Sequence, residues 1–256
     1  MWGGVVGPLV GVKFLVSSPQ IGFYLTGAVY LIYFILLFLV LSKLTVANPE
    51  SGKGKVTLQA MNHVLKSDIP LRYFIMGGMV VQFLFCQLTS TLPQYLDKSI
   101  VDGALIYSYL LMVNSLIVIV LQLPVSWFVD KMSALSSITL GSLFFAAAYA
   151  GFAWFDGWAG LILATVLFTI GEMIIIPSSS VIVDKLAAGE WKATYFGAFQ
   201  LRFLGTFAGQ SIGGALLMSI GGHGLFALMG VIAVLIPLFF TRGTRANSAQ
   251  SCSISN

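Results

Sequence analysis

An all-α protein that crosses a membrane about eight times is the architecture this chain predicts, and three observations predict it. Apolar residues make up 58% of the 256 and charged residues only 9%, where a water-soluble domain carries roughly a quarter charged. The apolar residues fall in runs far longer than the roughly ten-residue strands of a membrane barrel, with no polar alternation. The basic residues Lys43, Lys53, Lys55, Lys66, Arg72, Lys131, Lys185, Lys192, Arg242 and Arg245 gather at alternate run ends and in the loops between them. That is the bias of segments facing the cytoplasm. A backbone in hydrocarbon must satisfy its own hydrogen bonds, and at these lengths helices do so.

The spans are expected at Trp2–Val16, Ile21–Ser42, Leu71–Leu92, Ala104–Ser126, Ala134–Phe155, Trp158–Val183, Ala193–Ile220 and Leu225–Thr241. In the first, Gly3, Gly7 and Gly11 recur every four residues and bare one helix face for close packing. Pro8 removes a backbone donor there and bends the helix. This span is shorter than the ~20 residues of a usual crossing, as though its start were missing, and no basic leader or cleavage site precedes it. The second span runs without interruption. Pro124 should bend or end the fourth, and Pro177 should kink the sixth near Glu172. In the seventh, Gly205, Gly209 and Gly213 repeat the four-residue ladder. Trp127, Trp154, Trp158 and Trp191 sit at span ends, as interfacial aromatics do. Most connections leave room only for tight turns, so neighbouring helices are antiparallel.

The connection 44–70 stands apart. It holds NPESGKGK and then VTLQAMNHVLK, in which Val56, Ala60, Met61, Val64 and Leu65 share one helical face. A short amphipathic helix on the inner membrane surface is expected. With eight spans and a basic tail, both termini fall on the cytoplasmic side.

Several functions are excluded. The net charge of +4 follows the membrane topology and gives no nucleic-acid partner. Cys86 and Cys252 lack metal-ligand company. GKGK at Gly52–Lys55 lacks the leading glycine, the spacing and the Ser/Thr of a phosphate loop. His63 and His223 are expected in loops without carboxylate neighbours, so no intramembrane protease site forms. Neither an enzyme nor a cofactor-dependent protein is indicated.

Three motifs carry a family resemblance. GVVGPLVG (Gly4–Gly11) resembles the fifth-helix antiporter signature of the major facilitator superfamily: Gly7, Pro8 and Gly11 match, and Val12 replaces the final glycine. SWFVDKMS resembles a worn copy of that superfamily's Gly-x-x-x-Asp-Arg-x-Gly loop. Asp130 and Lys131 fill the charged places, while Ser126 and Ser133 replace the glycines. Ile170–Leu201 resembles the tenth and eleventh helices of MdtH-like multidrug efflux proteins, which are drug:proton antiporters. The resemblance implies two six-helix bundles around a cavity that opens to each side in turn. By this alignment the chain begins at the fifth helix and lacks the first four. Residues 1–43 are then the last two helices of the N-terminal bundle, 44–70 the cytoplasmic linker, 71–243 the C-terminal bundle and 244–256 a cytoplasmic tail.

Glu172 and Arg202 are the ionisable residues deepest in spans, about 18 and 15 Å from the charged ends at Asp184 and Lys192. A buried charge needs a partner or water. The two are therefore expected to pair or to line the cavity, as a coupling or substrate carboxylate with its cation or as a structural ion pair. Gln82, Gln87, Asn114, Gln122, Gln200 and Gln210 are uncharged polar groups within spans. They serve a substrate site beside Phe83, Phe85, Tyr107 and Tyr109 or bond helix to helix. The substrate and proton-coupling candidates are Glu172, Arg202, Gln82 and Asn114. The conformational motifs are Gly7, Pro8, Gly11, Asp130 and Lys131. The expected protein is a secondary transporter in the cell membrane that exports small amphipathic molecules against protons. Its partners are the lipid bilayer, a small-molecule substrate and protons. The alternative is a transport-inactive remnant, or a half-transporter whose missing helices come from a partner chain.

Overall fold

A computed structural model describes residues 19–43, 58–187 and 191–254, and every regular element among them is helical. Helix α1 spans Pro19–Lys43, α2 Leu58–Ser67, α3 Ile69–Phe85, α4 Gln87–Ser99, α5 Gly103–Val129, α6 Ala134–Trp154, α7 Trp158–Leu186 and α8 Lys192–Phe199. A 3₁₀ turn over Gln200–Phe203 then leads into α9, Leu204–Ile254. The first expected span, with Gly7, Pro8 and Gly11, lies outside the described residues, as does the NPESGKGK stretch.

Five stretches are long and apolar enough to cross a bilayer: Ile69–Ser99, Gly103–Val129, Ala134–Trp154, Trp158–Leu186 and Lys192–Ser248. The last folds back on itself. Its 57 residues would reach about 85 Å if straight, nearly three times the thickness of the hydrocarbon core. Gly221 leaves the helix at φ 72°, ψ 177°, a backbone region open to glycine. Neighbours on α3 and α4 reveal the reversal. Gly205 abuts Met79, Gly213 abuts Gln87 and Gly222 abuts Tyr95, whereas Gly243 has returned to Phe74. Two antiparallel arms result, before and after Gly221, as the seventh and eighth expected spans require. The second arm stays helical to Ile254, so most of the tail expected at 244–256 continues the last helix.

Local signals set the helix ends. Asp68 caps α3 by accepting from Leu71 N at 3.0 Å, with Pro70 in the first turn, where its missing N–H costs nothing. Ser133 caps α6 by accepting from Ser136 N at 3.1 Å. Pro124 lies inside α5 without ending it, since the helix runs on to Val129.

The core forms where α3, α6, α7 and the second arm of α9 meet. Phe145 stacks on Phe168 with ring centroids 4.8 Å apart, and Tyr149 packs among Phe145, Phe152, Phe168 and Phe226. The buried Tyr149 hydroxyl donates to the Leu84 carbonyl, which satisfies its one polar atom. By contrast α5 buries few residues and turns Leu116, Val120, Leu123 and Trp127 outward. Their i, i+4, i+7, i+11 spacing makes one apolar stripe. The large apolar side chains described on α1 are all exposed.

Helix α2 is amphipathic as expected, but its apolar face is spent on protein. Val64 is buried, with Met61 and Leu65 packed against the core, and α2 lies against α8 and α3. The tie is chemical as well: Tyr195 on α8 donates its hydroxyl to Asp68 at the α2–α3 junction.

Candidate functional site

A polar seam joins α5 to α7 about midway along both helices. Thr165, Thr169 and Glu172 recur at helical spacing along α7, and Asn114, Val118 and Gln122 do so along α5, so each set shares a face. Asn114 Nδ2 donates to Thr169 Oγ1 at 2.9 Å and to Glu172 Oε2 at 3.3 Å. Thr169 Oγ1 in turn donates to the Thr165 carbonyl at 2.7 Å. Beside this cluster Glu172, Val118, Gln122, Met173, Ile176 and Pro177 line a cavity of about 270 Å³. Glu172 is the one ionisable group in that lining. Gln122 Nε2 reaches Ser126 Oγ at 3.3 Å, and Ser126 with Pro177 belongs to a second cavity of about 140 Å³, also lined by Asp130 and Lys185.

Glu172 and Arg202 do not pair. Among the described residues Lys192 pairs with Asp184 at 2.7 Å, and the His223 ring lies 3.9 Å from the Asp156 carboxylate. The Arg202 guanidinium lies over the Phe199 and Phe203 rings, 4.5 and 5.3 Å from their centroids, as cation–π contacts do. Its stem passes Gly78 of α3, and its Nε is buried without a hydrogen-bond partner among the described residues. The physical reason is simple. Residue count along a helix fixes height in the membrane and leaves azimuth open. The 200–203 turn packs on α3, while Glu172 faces α5.

The remaining candidates separate. Gln82 is buried on α3, one turn from Gly78, with no hydrogen bond to Glu172 or Arg202 among the described residues. Asp130 and Lys131 are exposed at the end of α5; Asp130 lines the second cavity, and Lys131 sits over the Trp127 ring, 3.3 Å from its centroid. None of Phe83, Phe85, Tyr107 and Tyr109 lines the Glu172 cavity. Phe83 lines an apolar cavity against Leu204, Phe85 stacks on Phe168, and Tyr109 meets Trp158.

Gln87 serves packing. It is fully buried; Nε2 donates to Phe83 O at 2.9 Å and to Gly209 O at 3.0 Å, and Oε1 accepts from Thr91 Oγ1 at 2.9 Å. The glycine ladder makes room for it, since a Cβ on Gly213 would fall 2.3 Å from Gln87 Oε1.

Two features escaped the sequence reading. Thr165 and Thr169 were legible as a polar stripe leading to Glu172. His223, expected in a loop, lies one residue past Gly222 in the second arm. It contacts the Ala153 carbonyl through Nδ1 and the Tyr95 hydroxyl through Nε2, with Asp156 beside it. Only the fold-back at Gly221 brings these together.

The helices, with five stretches long and apolar enough to cross a bilayer and a half-buried carboxylate beside a small cavity, define a multi-pass membrane bundle. The family profile of the Major Facilitator Superfamily matches residues 1–209, and the chain belongs to that superfamily. It is 28% identical over 214 residues to the uncharacterized MFS-type transporter YqjV of Bacillus subtilis (strain 168), covering 83% of this chain and 52% of that protein. To the uncharacterized MFS-type transporter YdeE of Escherichia coli (strain K12) it is 27% identical, covering 95% of this chain and 62% of that one. A Na(+), Li(+), K(+)/H(+) antiporter of Planococcus maritimus is 25% identical over 64% of this chain and 42% of its own length. Among solved structures, a POT family transporter in complex with 5-aminolevulinic acid superposes with a TM-score of 0.57 at 19% identity, over 96% of this chain and 54% of that one. A mutant of the peptide transporter POT in complex with alafosfalin gives 0.60 at 18%, over 73% and 42%. The chain spans about half the length of the curated relatives it matches. Its family consists of transporters of small molecules, which are not enzymes.

Proposed function

We propose that this chain carries the coupling half of a proton-driven exporter of small amphipathic molecules, working by alternating access in the cell membrane. The observation that carries the reading is Glu172. It is a carboxylate deep in a crossing, tied to an uncharged amide, without a cation partner among the described residues, and set in a cavity otherwise lined by Val118, Gln122, Met173, Ile176 and Pro177. A membrane carboxylate without a counter-ion carries a proton or meets a cationic group. Arg202, with its unmade hydrogen bond, is the second coupling or substrate candidate. The basic ends at Lys131, Lys185 and Lys192 support a cytoplasmic placement for that side of the bundle and for both termini. Export over uptake, and kinship with MdtH-like drug antiporters, rest on the Gly7, Pro8, Gly11 signature and on the antiporter among the relatives.

The alternative is a half-transporter completed by a partner chain, or a remnant without transport. The large apolar side chains described on α1 are all exposed, which leaves that helix open to a further chain as well as to lipid.

The test is uptake of ethidium, an amphipathic cation, into proteoliposomes of the full chain under an imposed pH gradient. Wild type should accumulate the dye against its gradient, and Glu172→Gln should only let it equilibrate. Accumulation by Glu172→Gln removes the coupling role. No uptake by wild type alone, with uptake restored by a co-expressed N-terminal bundle from a relative, supports the half-transporter.

A further inference from the structure

Asn114 donates to two acceptors on α7, and the bonds behind them fix which way its amide points. Thr169 Oγ1 commits its single proton to the Thr165 carbonyl, and a hydroxyl has no second proton to give. Toward Asn114 it therefore accepts. At 2.9 Å it holds the NH₂ edge of the amide, and not Oδ1, against α7. The other proton of that NH₂ is aimed at Glu172 Oε2.

The two oxygens of Glu172 are thereby made unequal. Oε2 faces a group that can only donate, so it accepts whether the carboxyl is charged or neutral. Among the described residues no protein donor reaches Oε1, and Glu172 is part of the cavity wall with Gln122.

We propose that Asn114, oriented by Thr169, is a positioning residue that reserves Oε1 of Glu172 as the atom that takes the proton or meets a cationic group. This rests on Glu172 being the coupling carboxylate. On protonation the O–H bond forms at Oε1, the group becomes neutral, and Oε2 keeps its bond from Asn114 as a carbonyl oxygen. On release the proton leaves Oε1 to the cavity, and the negative charge returns. A proton and a cationic substrate then compete for one atom in one place, which is the requirement of antiport.

The test needs no known substrate. Dicyclohexylcarbodiimide reacts with protonated carboxyls: the acid proton passes to a carbodiimide nitrogen, the carboxylate oxygen adds to the central carbon, and an acyl shift leaves a stable N-acylurea. Peptide mass spectrometry of the purified full chain, labelled across a pH series, reads the fraction of Glu172 modified, with Glu172→Gln as the blank. Wild-type labelling should fall with rising pH. Asn114→Val deprives the charged form of a donor, so its midpoint should move upward by about one pH unit. Thr169→Val should move it the same way by less, and also serves if Asn114→Val does not fold. Thr169→Ser keeps the hydroxyl and should keep the wild-type midpoint. If Glu172 labels and titrates while both valine variants keep the wild-type midpoint, the positioning role is overturned and the coupling role stands. If folded wild type shows no pH-dependent label at Glu172, the coupling role falls and the positioning role with it.

Discussion

Substituting Gly205 by alanine tests a close backbone approach between α9 and α3. A Cβ there would lie 2.0 Å from the Met79 carbonyl oxygen, 2.7 Å from its carbon and 2.8 Å from its Cα. All three atoms are backbone, so no side chain can swing away. Ordinary contact begins at 3.4 Å, so the first arm of α9 must retreat from α3 by about 1.4 Å. One turn on, Gln87 Nε2 bonds Gly209 O at 3.0 Å, and a rigid retreat of that size takes the bond out of range. Overpacking costs about 1–3 kcal/mol and the lost hydrogen bond about 0.5–1.5 kcal/mol, so Gly205→Ala should lose roughly 2–4 kcal/mol. At about 2–4 °C per kcal/mol for a chain of this size, the melting temperature should fall by roughly 5–15 °C. The control is on the same helix. A Cβ on Gly214 meets nothing within 4 Å, and Gly→Ala in an open helical site gains up to ~1 kcal/mol. Thermal unfolding of detergent-purified protein, followed by tryptophan fluorescence, compares the two. A Gly205→Ala protein that melts at or above wild type, alongside Gly214→Ala, would refute the packing of α9 on α3.

Two further outcomes follow from buried bonds. Gln87→Leu removes the amide's bonds to the Gly209 carbonyl and the Thr91 hydroxyl and puts a branched side chain against Gly213, so it should destabilise by about 1–3 kcal/mol; unchanged melting would count against the amide clasp. Tyr195→Phe removes the donor to Oδ2 of the buried Asp68, whose Oδ1 keeps its bond from Leu71 N, at a cost of about 1.5–3 kcal/mol. Hydrogen exchange should then rise along α2, and a rise confined to other helices would place the anchor of α2 elsewhere.

The helices were legible because their signals are local. Twenty-residue apolar runs and the tight turns between them act within a few residues, and the spans from Leu71 to Thr241 match the helices within a few residues except where α3–α4 and the last helix run on. Features that depend on which faces meet were not legible. The depth of Glu172 and Arg202 follows from counting residues, yet their partners depend on rotation about each helix axis, which is set by packing. Arg202 accordingly turned to Phe199 and Phe203, and Glu172 to Asn114. The same limit hid the use of Val64 against the bundle, since an amphipathic face reads alike whether it covers lipid or protein. His223 was misplaced for a third reason: the break takes one residue, Gly221, and the helix resumes at once, which puts the imidazole beside Asp156.

The most direct test of Glu172 as the carboxylate shared by proton and substrate is proton release on binding. Tetraphenylphosphonium, an amphipathic cation, is added to the purified full chain in weakly buffered solution with a pH indicator, at a pH where carbodiimide labelling of Glu172 is near its plateau. Wild type should release a proton for each cation bound, and Glu172→Gln should release none. Equal proton release from wild type and Glu172→Gln would contradict the assignment.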